Sequence, residues 1–215
     1  MTCALTQPVP LTCSRATLSS PVAGDAAQRA LDVAAALLGL ALLGPLLLAC
    51  MAWIKLADGG PVFYRQWRVG RDGWLFRIWK LRTMRCDAER EGAMLACSGD
   101  PRVLPGCGWM RKSHVDELPQ LWNILLGDMS LVGPRPERPE IHEEIRRALP
   151  GFEMRIESRP GLTGLAQVRN GYTNDLAGMR RKLALDRCWL RKRSLRLNLW
   201  LIAATLPKVW DRTAL

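Results

Sequence analysis

Val33-Ala-Ala-Ala-Leu-Leu-Gly-Leu-Ala-Leu-Leu-Gly-Pro-Leu-Leu-Leu-Ala-Cys-Met-Ala-Trp-Ile54 runs for 22 residues without a charge, between Arg29 and Asp32 on one side and Lys55 on the other. A helix of that length matches the hydrocarbon core of a bilayer. Gly44-Pro45 sits near its middle, and proline removes a backbone donor and clashes with the preceding turn, so a kink or break is expected there. Two topologies remain open. A kinked helix crosses the membrane, or a re-entrant helix broken at Gly44 and Pro45 enters and leaves through one leaflet, with freed carbonyls finding local partners. The basic residues do not separate them, since Lys55, Arg65, Arg68 and Arg71 follow the segment densely while Arg15 and Arg29 precede it thinly. A buried soluble helix is the third reading, and 22 uncharged residues weigh against it.

This segment divides the chain. Residues 1–28 are rich in Pro, Ser, Thr and Ala and read as a flexible leader without the order of a secretory signal. Residues 29–57 form the membrane-embedded segment, and residues 58–215 the domain that follows it. The 215 residues carry a net charge of +11, which calls for an anionic partner: nucleic acid, lipid headgroups or a phosphorylated substrate. Nine Trp against three Phe and two Tyr favour a membrane interface. Helix-turn-helix, zinc-finger and RNA-binding signatures are missing, so no nucleic-acid partner is expected. Seven scattered Cys and two His give neither a zinc pattern nor a disulfide framework and fit reduced thiols in a cytoplasmic setting.

Residues 62–69 and 74–81 are strand-like and flank Gly70-Arg71-Asp72-Gly73, which predicts a β-hairpin. Side chains alternate along a strand, so Lys80 and Arg82 share a face and could hold a diphosphate; for an isolated Lys-x-Arg a solvated basic face is the favoured reading. Further on, Leu118, Leu121, Trp122 and Leu125 follow helical spacing, and Pro119 is tolerated only in a first turn. The helix is therefore predicted to begin near Asp116, with Asp116 at its N-cap or first turn and Gly127 as its stop. Asp116 and Glu117 lie between Arg111-Lys112 and Gly133-Pro134-Arg135-Pro136, where two prolines restrict Arg135. Two carboxylates among fixed cations suit Mg²⁺ and a phosphate, although Asp116 could be only a cap. His114 is a candidate base. Arg159-Pro160-Gly161-Leu162-Thr163-Gly164 adds a phosphate donor, Arg159, and glycines that let backbone approach a ligand. Glu140 to Leu149 reads as an amphipathic surface helix. From Ser194 onward, Leu195, Leu199, Ile202, Leu206 and Val209 form an apolar stripe among basic residues, a helix lying in the interface with Trp189, Trp200 and Trp210 at headgroup level, or else a core-facing helix. The fold class is α+β and helix-rich.

Taken together, Gly60-Pro61-Val62, Arg68-Val69-Gly70, Lys80-Leu81-Arg82-Thr83-Met84, Asp116-Glu117-Leu118-Pro119-Gln120-Leu121-Trp122-Asn123, the run Gly127 to Glu137 and the run Arg159 to Val168 resemble the bacterial sugar transferases, in that family's order, over residues 29 to 211. These are monotopic phosphoglycosyl transferases. The resemblance implies transfer of a sugar 1-phosphate from a nucleotide (UDP) sugar to membrane polyprenyl (undecaprenyl) phosphate, giving polyprenyl diphosphosugar and UMP. This is the first membrane step of a surface glycan such as an exopolysaccharide or an O-antigen. It implies Asp116 as the nucleophile that carries the phosphosugar, Glu117 as its assistant, Mg²⁺ held by Asp116 and Glu117, and Lys80, Arg82, Arg111, Arg135 and Arg159 as phosphate ligands. It also implies a re-entrant helix and a catalytic domain on the cytoplasmic face of the bacterial inner membrane; a homodimer is compatible with it. Gly44 stands where many members have Ser, and Arg169-Asn170-Gly171-Tyr172 departs from the usual Asn-Gly-Arg string. The rival reading is a catalytically inactive membrane-anchored partner in a glycan assembly complex.

Overall fold

A computed structural model describes residues 25–88, 100–170 and 176–208. Residues 1–24 of the leader, Val209 and Trp210 fall outside the described residues, as do Gly171 and Tyr172. Helix α1, Asp25–Asp58, is 34 residues long, about 51 Å if straight, and contains Pro45. It starts four residues ahead of the expected membrane segment. The element is continuous through Gly44-Pro45. Proline removes one backbone donor and clashes with the preceding turn, yet Pro45 lies inside the single element.

One side of α1 is docked on the domain along its length. Ala36 is buried with Phe76, Leu121, Ile124 and Leu131, and Leu47, Cys50 and Ile54 are buried with Leu81, Leu104 and Met110. Polar anchors hold both ends. Arg29 donates to the carbonyls of Ile124 (2.5 Å) and Leu125 (2.8 Å), capping the C-terminal end of α3 (Gln120–Leu126). Asp32 accepts from the Leu131 N–H at 3.0 Å, and Trp53 Nε1 donates to the Pro105 carbonyl at 3.1 Å. The other side leaves Leu37, Leu38, Leu42, Leu48, Trp53 and Leu56 more than half exposed. That apolar surface is the property of α1 compatible with membrane association.

The hairpin forms from β1, Phe63–Val69, and β2, Leu75–Leu81, paired antiparallel with Tyr64 opposite Lys80. Its connection is a short 3₁₀ turn in which Asp72 takes a left-handed conformation (φ 54°). Arg65 lies 4.0 Å from the Trp79 ring and Arg77 4.7 Å from that of Trp67, so cations on this face rest on indoles.

A second, parallel pair joins β3, Ser130–Val132, to β4, Gly161–Thr163. This pairing unites the two glycine- and proline-rich islands and explains their glycines. A Cβ on Gly161 would lie 2.0 Å from the Gly133 nitrogen, and one on Gly164 2.2 Å from the Gly133 oxygen. The close approach is therefore backbone to backbone, where the sequence suggested backbone to ligand. Helices α2 (Gly108–Lys112), α4 (Pro139–Ala148), α5 (Leu165–Asn170), α6 (Leu176–Lys192) and α7 (Leu195–Thr205) complete the domain.

Helix α7 has one face in the core and another exposed. Asn198 and Leu201 are buried, while Leu195, Leu199 and Trp200 are nearly half exposed. Trp189, expected at headgroup level, is instead in the core, with its indole N–H donating to Asn198 Oδ1 at 2.9 Å. A buried indole needs such a partner, and Asn198 supplies it.

Candidate active site

Four segments converge on the acidic pair. Lys80 comes from the end of β2, Arg111 from α2, Asp116 and Glu117 from a 3₁₀ turn (Val115–Glu117), and Arg135 from the Pro-Arg-Pro run after β3. The helix start differs from expectation. Helix α3 begins at Gln120 with Pro119 before it, and Asp116 is not its cap. Proline has no N–H to give to a turn that begins at residues 115–116, so the chain approaches in 3₁₀ turns: Glu117 N to His114 O (3.0 Å), Leu118 N to Val115 O (3.2 Å) and Leu121 N to Leu118 O (3.0 Å). His114 enters this turn left-handed, at φ 55°.

The two carboxylates are both buried, at 8% exposure, yet their surroundings differ. Glu117 is clamped. Its Oε1 accepts from Lys80 Nζ at 2.7 Å and from Arg135 Nη2 at 2.7 Å, with Arg135 Nη1 3.4 Å from Oε2. Burial alone would raise its pKa, but Arg135 and Lys80 hold the carboxyl well below the usual range. Asp116 makes no hydrogen bond or ion pair among the described residues. Burial raises its pKa to about 6; Lys80 opposes that shift, Glu117 adds to it, and Arg111 and His114 oppose it. One carboxylate is thus clamped by cations that favour its charged form, while the other has no fixed partner among the described residues and is pushed up to about 6.

Arg111 reaches Thr83 Oγ1 at 3.3 Å, and its buried Nε has no hydrogen-bond partner among the described residues. His114 sits beside the pair with Nδ1 3.2 Å from the Arg111 carbonyl. Lys80, Arg111, Asp116, Glu117 and Arg135 are therefore assembled as the sequence suggested. Two of the expected phosphate ligands are not with them. Arg82, 5% exposed, forms a two-pronged pair with Asp58 at the end of α1 and also donates to the Pro61 and Met84 carbonyls. Strand β2 ends at Leu81, so the alternation that would put Arg82 beside Lys80 stops one residue short. Arg159 donates to the Gly127 carbonyl at 3.0 Å and lines a separate recess with Asp32, Ser158 and Arg193.

Sequence reasoning missed the support beneath Arg135. Arg155 donates to the Arg135 carbonyl (3.0 Å) and to Asp186 (2.6 Å), and Glu137 pairs with both Arg155 and Lys182. Arg155 and Asp186 are both nearly inaccessible. Asn123 was missed as well. Fully buried, it accepts from the Trp79 N–H (3.0 Å) and donates to the Arg77 carbonyl (2.8 Å), fixing α3 to the strand that carries Lys80. An Asn one helical turn after a proline-initiated start was the available signal.

For a metal, Asp116 is the carboxylate with free lone pairs, because both Glu117 oxygens face cations. Among the described residues no cluster of three or more His, Cys, Asp or Glu occurs. That donor set suits Mg²⁺, which keeps waters and takes one or two carboxylates together with substrate phosphates.

Residues 23–212 match the model of the family described as bacterial sugar transferase. The chain is 43% identical over 190 residues to the UDP-glucose:undecaprenyl-phosphate glucose-1-phosphate transferase of Caulobacter vibrioides, covering 87% of this chain and 71% of that protein. It is 40% identical over 182 residues to the UDP-N-acetylgalactosamine-undecaprenyl-phosphate N-acetylgalactosaminephosphotransferase of Aeromonas hydrophila, covering 85% of this chain but 43% of that one. Against the exopolysaccharide production protein ExoY of Rhizobium meliloti it is 38% identical over 201 residues, covering 86% of each.

Proposed function

This chain belongs to the bacterial sugar transferase family, and on that premise we propose that it is an undecaprenyl-phosphate sugar phosphotransferase. It would move a sugar 1-phosphate from a UDP-sugar to undecaprenyl phosphate in the assembly of an exopolysaccharide or related surface glycan. The observation that carries the reading is the free, buried Asp116 carboxylate beside a Glu117 whose charge is already neutralised.

The reaction proceeds in two displacements. An Asp116 oxygen attacks the β-phosphorus of the donor; the bond from that phosphorus to the bridging oxygen breaks, and UMP leaves. The sugar phosphate is then an acyl phosphate on Asp116. A phosphate oxygen of the lipid acceptor attacks the same phosphorus, the aspartyl bond breaks, and the carboxylate is regenerated. Attack by an anion on a dianionic diphosphate is repulsive, and Lys80, Arg111 and Arg135 reduce that repulsion from fixed positions. Glu117 orients Lys80 and Arg135 rather than reacting. Mg²⁺, held by Asp116 and substrate oxygens, would add charge neutralisation at the diphosphate.

We also propose that α1 stays in one leaflet, on the cytoplasmic side with the domain. Supporting this, Arg29 and Asp32 at one end and Trp53 at the other bind the same domain. Were α1 to cross, the domain docked along it would have to follow it into the hydrocarbon core. The exposed apolar residues of α1, with Trp122 and Leu126 of α3 and Leu199 and Trp200 of α7, supply the lipid-facing surface. Measuring UMP release from a panel of UDP-sugars with purified protein tests the activity and identifies the sugar; release from none of them would contradict it.

A further inference from the structure

The recess that takes Arg159 contains none of Lys80, Arg111, Asp116, Glu117 or Arg135. It lies between the first turns of α1, the start of β3, and the corner where α6 meets α7. Three buried polar atoms in residues lining it have no hydrogen-bond partner among the described residues: Asp32 Oδ2, in a residue 1% exposed, Ser158 Oγ, in one 4% exposed, and Arg71 Nε, which has only an ion pair to Asp72 at 3.4 Å. Such atoms are costly to leave unsatisfied, and their gathering in residues that line one recess points to a ligand. Asp32 Oδ1 is already taken by Gln28 and the Leu131 N–H, so Oδ2 needs a donor from outside. Cations stand opposite. Arg193 is only loosely matched to Asp25, at 3.9 Å, and Arg159 anchors its Nε on Gly127, which leaves its fork for an anion.

The ligand that fits carries a phosphate and, beside it, a hydrogen-bond donor. We propose that this recess binds the headgroup of an aminophospholipid, with its phosphodiester on Arg159 and Arg193 and its protonated amine on Asp32 and Ser158. The position favours a lipid over a soluble ester. The uncharged run of α1 begins at Val33, next to Asp32, and Leu195 in the recess wall is 45% exposed and leads to the exposed Leu199 and Trp200. Acyl chains leaving the recess would lie on these surfaces. The inference rests on the membrane placement of α1 and not on the chemistry at Asp116.

The test uses the full chain in lipid nanodiscs, exchanged against equal amounts of phosphatidylethanolamine and phosphatidylcholine, with retained lipid read by native mass spectrometry. The trimethylated amine of the choline lipid cannot donate, so retention of the ethanolamine lipid should exceed it by about tenfold. Asp32→Asn and Ser158→Ala should each erase the preference, and Ser158→Ala should leave UMP release unchanged. Equal retention of both lipids, or a preference that survives in both variants, would overturn the proposal. Competition by O-phosphoethanolamine or inorganic phosphate as strong as that by the lipid would assign the recess to a soluble ester instead. Flotation with liposomes separates failures: a wild-type chain that does not float contradicts the membrane placement itself.

Discussion

Replacing Asp116 with Asn should abolish transfer and at the same time make the protein more stable. The reasoning starts from burial. The carboxyl titrates at about 6 against an ordinary 3.8, so the native state disfavours its ionised form. At ~1.4 kcal/mol per pH unit that distance amounts to ~3 kcal/mol of native-state cost near neutral pH. The sign follows from proton binding. Between 3.8 and about 6 the native state holds the proton that the unfolded state has released, so stability falls as pH rises through this window. Below it both states are protonated and the cost is gone. Asparagine resembles the protonated acid and removes the cost at all pH. For a chain of this size ~3 kcal/mol corresponds to a rise in Tm of ~6–12 °C. Thermal unfolding followed by tryptophan fluorescence in detergent, at about pH 7.5 and about pH 4, measures it. A gain near neutrality that vanishes in acid is expected. An unchanged or lowered Tm near neutrality would refute the idea that Asp116 is buried without a compensating partner, and so would an equal gain at both pH values.

Other substitutions separate the roles of the remaining charges. The first half-reaction, read as UMP release without acceptor, should fall about tenfold from about pH 7 to about pH 5 as Asp116 protonates, and Lys80→Met should move that limb to higher pH. Glu117→Gln should do the opposite of Asp116→Asn. Burial would raise the Glu117 pKa, but Arg135 and Lys80 hold it well below 4.5, so its stabilisation is present above that value and lost in acid; removing the charge should cost ~3–5 kcal/mol in denaturant titrations. Arg82→Met should lower Tm by stranding Asp58 while leaving the KM for UDP-sugar unchanged at temperatures where the protein is folded; a tenfold higher KM would restore Arg82 to the phosphate site.

Much of this molecule was readable in its residues, for identifiable reasons. The uncharged run 33–54 is long and has one composition throughout, and it became the body of α1. Alternating aromatic and β-branched residues around Gly70–Gly73 became the hairpin, because a period of two and a turn are local signals. Lys80, Arg111, Glu117 and Arg135 also came together around Asp116. What escaped was set by partners distant in sequence. Proline chemistry indicated a helix start, but residue 119 shifted it to Gln120 and left Asp116 in a 3₁₀ approach. Arg82 looked like the twin of Lys80 until Asp58, 24 residues earlier, claimed it. The glycines of the Arg159–Gly164 island serve the β3–β4 contact, which joins residues about thirty apart. Arg155 and Asp186 carry no motif of their own, and their pairing beneath Arg135 exists only in the folded chain.

Incubating the purified protein with its UDP-sugar and no polyprenyl phosphate, then quenching and mapping peptides by mass spectrometry, tests the central claim most directly. The account predicts a sugar-phosphate adduct on Asp116, formed in step with UMP and discharged when polyprenyl phosphate is added. An unlabelled Asp116 in a preparation that turns over when both substrates are present would contradict it.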